Sequence, residues 1–253
     1  MTGTVYLVGA GPGAPDLLTL RAARLLGDAD IVFYDALVHS DTVALAGRAE
    51  KIAVGKRCGK HSTAQKFINK RLVDAAQRHR VVVRLKGGDP MLFGRAQEEI
   101  SALEEAGVAC EVVPGITAAL AAAATLRTSL TQRGTARSVT FATPRVGVSE
   151  PDSTWASGLA AADAGAIYMG VGEAQLIAST LMAAGKPASL PVAVVESASL
   201  PEQRIRYTTL ADLPRLCDER VEGPALILLG PQFKARAIAM QQRCRMEKRA
   251  AAG

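Results

Sequence analysis

The sequence has 253 residues, of which 49% are hydrophobic and 21% charged, and its formal net charge is +6. This composition excludes an intrinsically disordered chain and suits one large domain or two of moderate size. No run approaches the ~18 apolar residues of a membrane-spanning helix, and the first residues lack a secretory signal, so we expect a cytoplasmic protein without a membrane partner.

The positive charge is concentrated near the end of the chain. Residues 232–253 contain one acid, Glu247, and six basic residues: Lys234, Arg236, Arg243, Arg245, Lys248 and Arg249. Because basic tails are often only solvated, we do not expect nucleic acid as a partner. Residues 51–73 and 112–149 carry basic residues and no acid, which indicates a site for a polyanion, with a merely solvated surface as the alternative.

Cysteine and histidine do not occur at the spacing of metal ligands. The residues concerned are Cys58, Cys110, Cys217, Cys244, His39, His61 and His79. We therefore expect reduced thiols and no metal site.

Short β-branched runs alternate with helical patterns over the first 113 residues. The runs are Val5–Val8, Ile31–Tyr34, Lys51–Val54, Val81–Leu85 and Cys110–Val113. Such alternation predicts a five-stranded parallel sheet covered by helices.

Residues 114–137 interrupt this alternation, and we place a domain junction there. The prediction is an N-terminal α/β domain over 1–115, a C-terminal α/β domain over 116–235 and a basic tail over 236–253. The later strand-like runs are Val139–Ala142, Ala166–Met169, Val192–Glu196, Arg204–Thr208 and Ala225–Leu229. The third and fourth of these are too close for a crossover helix, so they predict a hairpin and a mixed sheet.

A glycine-rich loop follows the first predicted strand. Gly9–Ala14 satisfies the G-x-G-x-x-A pattern of dinucleotide-binding proteins, and Asp35 lies where an acid would bind a ribose. An NAD-dependent oxidoreductase of the Rossmann class is therefore one interpretation. Against it, Pro12 removes a backbone N–H from the loop, and Pro15 delays the following helix.

Two further glycine loops, Leu85–Arg95 and Val113–Ala118, also follow predicted strands. The carboxyl ends of parallel strands meet at one edge of a sheet, where open α/β proteins bind ligands. We expect all three loops to line a single crevice.

The blocks VGAGPGAPDLLTLRA, VGKR, RLKGGDPMLFGR and VVPGITAA together resemble the tetrapyrrole methylase family. The resemblance covers about residues 4–235, and it is strongest to members that methylate uroporphyrinogen III. It implies a homodimer of two-domain subunits, with S-adenosylmethionine bound in the cleft between the domains and S-adenosylhomocysteine as product. The implied reaction methylates two ring carbons and gives precorrin-2, for the sirohaem, cobalamin or haem d1 branch. Another precorrin of the corrin pathway is the alternative substrate.

The resemblance also assigns residues. Those matching cofactor contacts are Pro12, Gly87, Gly88, Asp89, Leu92, Thr117, Ala118, Met169 and Ala198. Asp35 and Lys56 match the proposed proton acceptor and donor, and Arg95, Glu98 and Arg133 match residues that face the tetrapyrrole. The chain departs from the usual family pattern at residues 96–97, 132 and 144–145, all on the expected substrate side.

Overall fold

The structure is a computed structural model that describes residues 2–54, 61–145, 153–219, 221 and 223–239, with only the backbone considered at 61–64. Internal contacts divide the chain into two units, Met1–Ala118 and Ala119–Gly253, and each contains a five-stranded sheet. Within the described residues, no helix combines the length and the apolar character needed to span a bilayer.

The sheet of the first unit is entirely parallel. Its strands are β1 (Thr4–Gly9), β2 (Ile31–Tyr34), β3 (Glu50–Ala53), β4 (Val81–Lys86) and β5 (Ala109–Val113). The order β3-β2-β4-β1-β5 confirms the predicted five-stranded parallel sheet. In a dinucleotide-binding sheet β1 borders β2, whereas here β4 lies between them, which counts against the Rossmann interpretation.

Helices cover both faces of this sheet. They are α1 (Leu20–Asp28), α2 (Ser40–Ala44), α3 (His61–Ala76) and α4 (Ala96–Glu105). Successive strand residues enter different cores: Leu7 packs with Leu72 of α3 and Leu103 of α4, while Val8 packs with Leu26 of α1. A strand buried on both faces has no solvent-facing position, so a charged residue within it needs a partner inside the protein.

The second unit contains a mixed sheet. Its strands are β6 (Val139–Ala142), β7 (Ala164–Tyr168), β8 (Pro191–Glu196), β9 (Arg204–Thr209) and β10 (Ala225–Leu229). In the order β6-β7-β10-β8-β9, only β6 and β7 pair in parallel. The hairpin predicted from the short connection is confirmed, because β8 and β9 pair antiparallel.

The helices of the second unit follow the glycine loops or pack on the mixed sheet. They are α5 (Ala118–Leu126), α6 (Trp155–Ala161), α7 (Ala174–Ala183) and α8 (Leu213–Asp218). One core joins α6, α7 and α8 to the sheet through Leu159, Ile177 and Leu213.

An aspartate fixes the start of a neighbouring strand in each unit. Asp30, just before β2, accepts hydrogen bonds at 2.9 Å from the backbone N–H groups of Arg80 and Val81 at the start of β4. Asp163, just before β7, accepts from the backbone N–H groups of residues 137–138. These bonds favour the charged carboxylates and lower the pKa of both aspartates below the ordinary value.

We expect Asp30→Ala to lower the free energy of unfolding at pH 7 by about 1 kcal/mol, or about 2–4 °C in Tm, because two backbone donors lose their acceptor. Because folding lowers the pKa of Asp30, its ionised carboxylate stabilises the fold at pH values above 3.8, the pKa in the unfolded chain. This stabilisation is lost as the pH falls through the lower pKa of the folded state. The Tm difference between wild type and variant should therefore shrink below about pH 4.

Thermal melts of both proteins from pH 7 to pH 2 measure this, with Asp28→Ala on the exposed end of α1 as the control. A difference that is absent at pH 7, or unchanged down to pH 2, would contradict this role for Asp30.

Candidate functional site

The three glycine loops follow β4, β1 and β5, which are neighbours in the sheet. Their backbones contact one another directly. The N–H of Gly88 donates to the carbonyl of Gly11 at 2.7 Å, and the N–H of Gly11 donates to the carbonyl of Gly88 at 3.2 Å. The predicted meeting of the three loops at one edge is therefore seen in the first unit.

Glycine is required where these loops cross. A Cβ atom on Gly115 would lie 2.4 Å from the carbonyl oxygen of Gly88 and 2.9 Å from the Cα of Gly9. A Cβ atom on Gly9 would lie 2.6 Å from the backbone of Gly115. These neighbours are backbone atoms, which cannot rotate away, so any side chain would separate the loops.

Asp89 joins the second loop to the third. Its Oδ1 accepts from the N–H of Met91 at 2.8 Å, and its Oδ2 accepts from the N–H of Gly115 at 2.9 Å. Both carboxylate oxygens therefore bond to backbone. Asp89 was predicted to contact the cofactor, and its geometry gives it the more specific task of holding two loops of the crevice together.

The other predicted cofactor contacts of the first unit lie on the same loops. They are Pro12, Gly87, Gly88, Leu92, Thr117 and Ala118, and all are partly exposed. Gly88 has a φ of 68°, and only the Cα of Thr117, at 3.9 Å, lies near the position of a Cβ. The loop surface is thus accessible at Gly88, while the assignment of these contacts stays a prediction.

Left-handed backbone occurs at non-glycine residues beside the predicted site positions in both units. Met169 has a φ of 55°, and Ala198 lies between Ser197 at 47° and Ser199 at 72°. In the first unit Arg95 has a φ of 56°. Such conformations cost of order 1–3 kcal/mol each and are concentrated at functional sites. Met169 is 45% exposed and is therefore not a core residue, whereas Ala198 is buried; the ligand-binding role of both stays a prediction.

Asp35 belongs to a buried group of four charged side chains. Arg84 donates from Nη2 to Asp35 at 2.6 Å and from Nε to Glu99 at 2.9 Å. Lys86 donates from Nζ to the other oxygen of Glu99 at 3.0 Å. We call these four residues the charge network. The Asp35 side chain is 27% exposed, compared with 2% for Arg84 and 0% for Glu99.

Burial disfavours the charge of both cations of the charge network, but the net change in pKa differs between them. Burial opposes the charge of Arg84, but Asp35 and Glu99 outweigh this effect, and the pKa of Arg84 is raised above its ordinary value. For Lys86, burial and the positive charge of Arg84 together lower the pKa below its ordinary value. With all four groups ionised the network is electrically neutral.

Arg84, Lys86 and Glu99 were not identified from the sequence, although the periodicity contains the signal. Arg84 and Lys86 are two residues apart in a strand buried on both faces, so they point to the same face. Glu99 shares the buried side of α4 with Ala96 and Leu103, at helical spacing. Two buried cations opposite an acid on an apolar helix face predict such a network.

Arg95 and Glu98, both expected to face the tetrapyrrole, pair with each other. Nε and Nη2 of Arg95 donate to the two carboxylate oxygens of Glu98 at 2.6 and 2.7 Å. Both side chains remain accessible. Arg133, in the second unit, is exposed in the tight turn formed by residues 132–136. Their contact with a substrate stays a prediction.

The basic stretch at 51–73 is partly neutralised where the structure describes it. Lys70 pairs with Asp74 at 2.8 Å, and Arg71 stacks on the rings of Phe33 and Phe67. Lys70 is thus paired with an acid at the surface, and Arg71 contacts two aromatic rings. Lys56, the expected proton donor, lies outside the described residues.

Two of the four cysteines lie among the residues that the structure describes. Cys110 and Cys217 are free thiols, and burial raises the pKa of each to about 11. Among the residues whose placement the structure gives, no cluster of His, Cys, Asp or Glu could hold a metal ion.

The loop crossing predicts that Gly115→Ala destabilises the first unit by about 1–3 kcal/mol, because the added methyl group overlaps backbone atoms. Gly27→Ala is the matched control: Gly27 lies in α1 with nothing near its Cβ position, so the change should stabilise by about 0.5–1 kcal/mol. Denaturant unfolding of both variants measures the difference. Equal midpoints would show that the loops do not depend on this close approach.

Comparison with known proteins places the chain in a family. Residues 4–214 match the model of the Tetrapyrrole (Corrin/Porphyrin) Methylases. A sirohaem synthase of Azotobacter vinelandii is 45% identical over 236 residues, which make up 92% of this chain and 51% of that protein. A sirohaem synthase of Chromobacterium violaceum is 46% identical over 230 residues, 90% of this chain and 49% of that protein. The chain thus spans about half the length of the curated relatives it matches.

Solved structures agree with this. The uroporphyrin III C-methyltransferase of Thermus thermophilus matches with a TM-score of 0.80 and 39% identity, over 92% of this chain and 94% of that one. The same Thermus enzyme has been crystallised with S-adenosylhomocysteine. A cobalt precorrin-4 methyltransferase matches with a TM-score of 0.80 and 30% identity, over 90% and 94% of the two chains. The family inferred from the glycine loops is confirmed: this chain belongs to the tetrapyrrole methylases.

Proposed function

We propose that this chain transfers methyl groups from S-adenosylmethionine to two ring carbons of uroporphyrinogen III, giving precorrin-2. The observation that carries the proposal is the meeting of the three glycine loops and Asp35 at the carboxyl ends of four adjacent strands, in the order β2-β4-β1-β5. The methyl donor agrees with the family and with the S-adenosylhomocysteine complex of the Thermus relative. The Thermus enzyme's substrate supports uroporphyrinogen III as the acceptor.

The loops fit a cationic cofactor. Residues 9–14, 87–92 and 114–118 contain no lysine or arginine, and their one acid is Asp89. Both oxygens of Asp89 accept backbone N–H groups, so its negative charge is held in a fixed position. A sulfonium ion would meet backbone dipoles and one fixed carboxylate. The proposed contacts are Pro12, Gly87, Gly88, Asp89, Leu92, Thr117 and Ala118 from the first unit, and Met169 and Ala198 from the second.

S-adenosylmethionine supplies an electrophilic methyl group when it is bound. The chain then has to align the acceptor carbon and remove a proton from the macrocycle. Asp35 is the proposed proton acceptor: its carboxylate is held by Arg84 at 2.6 Å and remains partly exposed. Lys56 as proton donor follows from the family resemblance alone.

Arginines suit recognition of the substrate, whose periphery carries carboxylates. The planar guanidinium of Arg95 is oriented by Glu98, the Arg95 side chain is 40% exposed, and a guanidinium of this kind suits a carboxylate. Arg133 is proposed for the same task.

Another precorrin is the second candidate acceptor, supported by the similarity to the cobalt precorrin-4 methyltransferase and by the pattern departures at residues 96–97, 132 and 144–145. A homodimer in the cytoplasm, with the domain boundaries given above, stays part of the proposal.

The reaction itself is the first test. Incubation with methyl-labelled S-adenosylmethionine and uroporphyrinogen III should give a product with the mass of two added methyl groups and a dimethylated chromophore. Methylation of a precorrin but not of uroporphyrinogen III would replace the substrate. No methyl transfer to any tetrapyrrole would contradict the proposal.

Two variants separate the cofactor site from the substrate site. Asp89→Ala should weaken S-adenosylhomocysteine binding, because the second and third loops lose their connection. Arg95→Ala should leave that binding unchanged and lower kcat/KM for the tetrapyrrole by about 10- to 100-fold, the effect of one charge-assisted hydrogen bond. Arg24→Ala, on the exposed side of α1, is the control for loss of a surface cation.

Isothermal titration calorimetry and steady-state kinetics on the three variants provide the measurements. Normal binding and normal turnover in both site variants would show that the site has been placed wrongly.

A further inference from the structure

The four residues of the charge network differ sharply in solvent exposure, and this difference indicates what the network does. Arg84, Lys86 and Glu99 are almost completely buried, while Asp35 reaches the surface at the end of β2. Arg84 donates to Oδ1 of Asp35, and the Asp35 side chain is 27% exposed, so the carboxylate is accessible from outside the network. The buried residues of the charge network are therefore connected, through Arg84, to the carboxylate proposed for catalysis.

Arg84 is itself held by all three of its guanidinium nitrogens. Nη2 bonds Asp35, Nε bonds Glu99, and Nη1 donates to the backbone carbonyl of Leu85 at 3.2 Å. Three hydrogen bonds hold this guanidinium in one orientation. The Asp35 carboxylate is thus positioned by a donor that is itself held at three nitrogens.

The hydrogen bonds continue beyond Glu99 into the helices. Gln65 of α3 donates from Nε2 to Glu99 at 3.2 Å and to Asn69 at 2.9 Å. Asn69 in turn donates from Nδ2 to the backbone carbonyl of Glu98 at 3.0 Å. An unbroken path therefore links Asp35 to the segment of α4 that carries the proposed carboxylate-binding pair.

Stability alone is a weak reason for such an arrangement. Buried ion pairs often contribute no more to stability than well-packed apolar residues of the same size, because desolvation offsets their attraction. The core between the sheet and α3 and α4 is otherwise apolar, with Leu72, Val82 and Leu103 among its residues. The one accessible member, Asp35, indicates that the network serves the chemistry at the crevice.

We propose that Arg84, anchored by Glu99, is a positioning residue that fixes the orientation of the Asp35 carboxylate for proton removal from the substrate. This inference rests on the proposed methyl transfer. It assigns Arg84 a role exerted through Asp35, without direct contact with cofactor or substrate.

The test compares two charge-balanced double variants. Arg84→Met with Glu99→Gln removes one cation and one anion and eliminates the bond to Asp35. Lys86→Met with Glu99→Gln removes the same charges from the same place but keeps Arg84 beside Asp35. We expect the first double variant to lower kcat at least about tenfold more than the second, because one charge-assisted hydrogen bond accounts for an effect of that size. KM and the affinity for S-adenosylhomocysteine should be similar in the two.

Repeating the comparison in an Asp35→Asn background shows whether Arg84 acts on kcat through Asp35. If Arg84 acts through Asp35, the Arg84 pair should change kcat less than about threefold in that background, because the two effects are not additive. A general loss of structure would lower kcat again and weaken S-adenosylhomocysteine binding.

Equal kcat in the two double variants, or full additivity with Asp35→Asn, would overturn the positioning role while the methyl transfer of the wild type still stood. No turnover by the wild type would instead reject the proposed function, and this inference with it. If the Arg84 pair fails to fold by circular dichroism, Arg84→Lys replaces it. A lysine reaches Asp35 or Glu99 but not both, so kcat should fall with S-adenosylhomocysteine affinity retained, and unchanged kcat would reject the proposal.

Discussion

The crevice of the first unit depends on direct backbone contact between three loops. Gly9 and Gly115 approach each other and the carbonyl of Gly88 so closely that neither has room for a Cβ atom, and the Asp89 carboxylate joins the second loop to the third. The sheet order β4-β1-β5 makes this contact possible, since it places the three loops on consecutive strands. A site lined by backbone has a fixed shape and few charges. Such a surface suits the proposed cofactor, and the proposed substrate contacts are side chains outside the loop crossing.

The departures from the usual pattern named in the sequence analysis, at residues 96–97, 132 and 144–145, lie outside the three glycine loops. Residues 96–97 follow Arg95 at the start of α4, and residue 132 begins the exposed turn that carries Arg133. Neither segment takes part in the loop crossing. Side chains can change there without disturbing the backbone contacts that shape the crevice.

Most of the fold could be predicted from the sequence, because the runs of β-branched residues coincide with the strands, and the short connection between β8 and β9 requires a hairpin. The strand order could not be predicted, since long crossover connections do not specify which strands become neighbours. In the site, the glycine loops and Asp35 were found from motifs. Arg84 and Glu99 were missed because charged residues in apolar patterns are easily read as solvent-exposed, and only the three-dimensional pairing shows that they neutralise each other.

The two hydrogen bonds of Asp30 have a consequence for the register of the sheet. They fix β4 beside β2 so that Ile31 pairs with Val82. Because side chains alternate between faces, a slip of a single residue would turn Arg84 away from Glu99, into the apolar core shared with α1. An exposed aspartate at the opposite end of the strands thus helps to exclude an alternative pairing in which buried cations would have no anion.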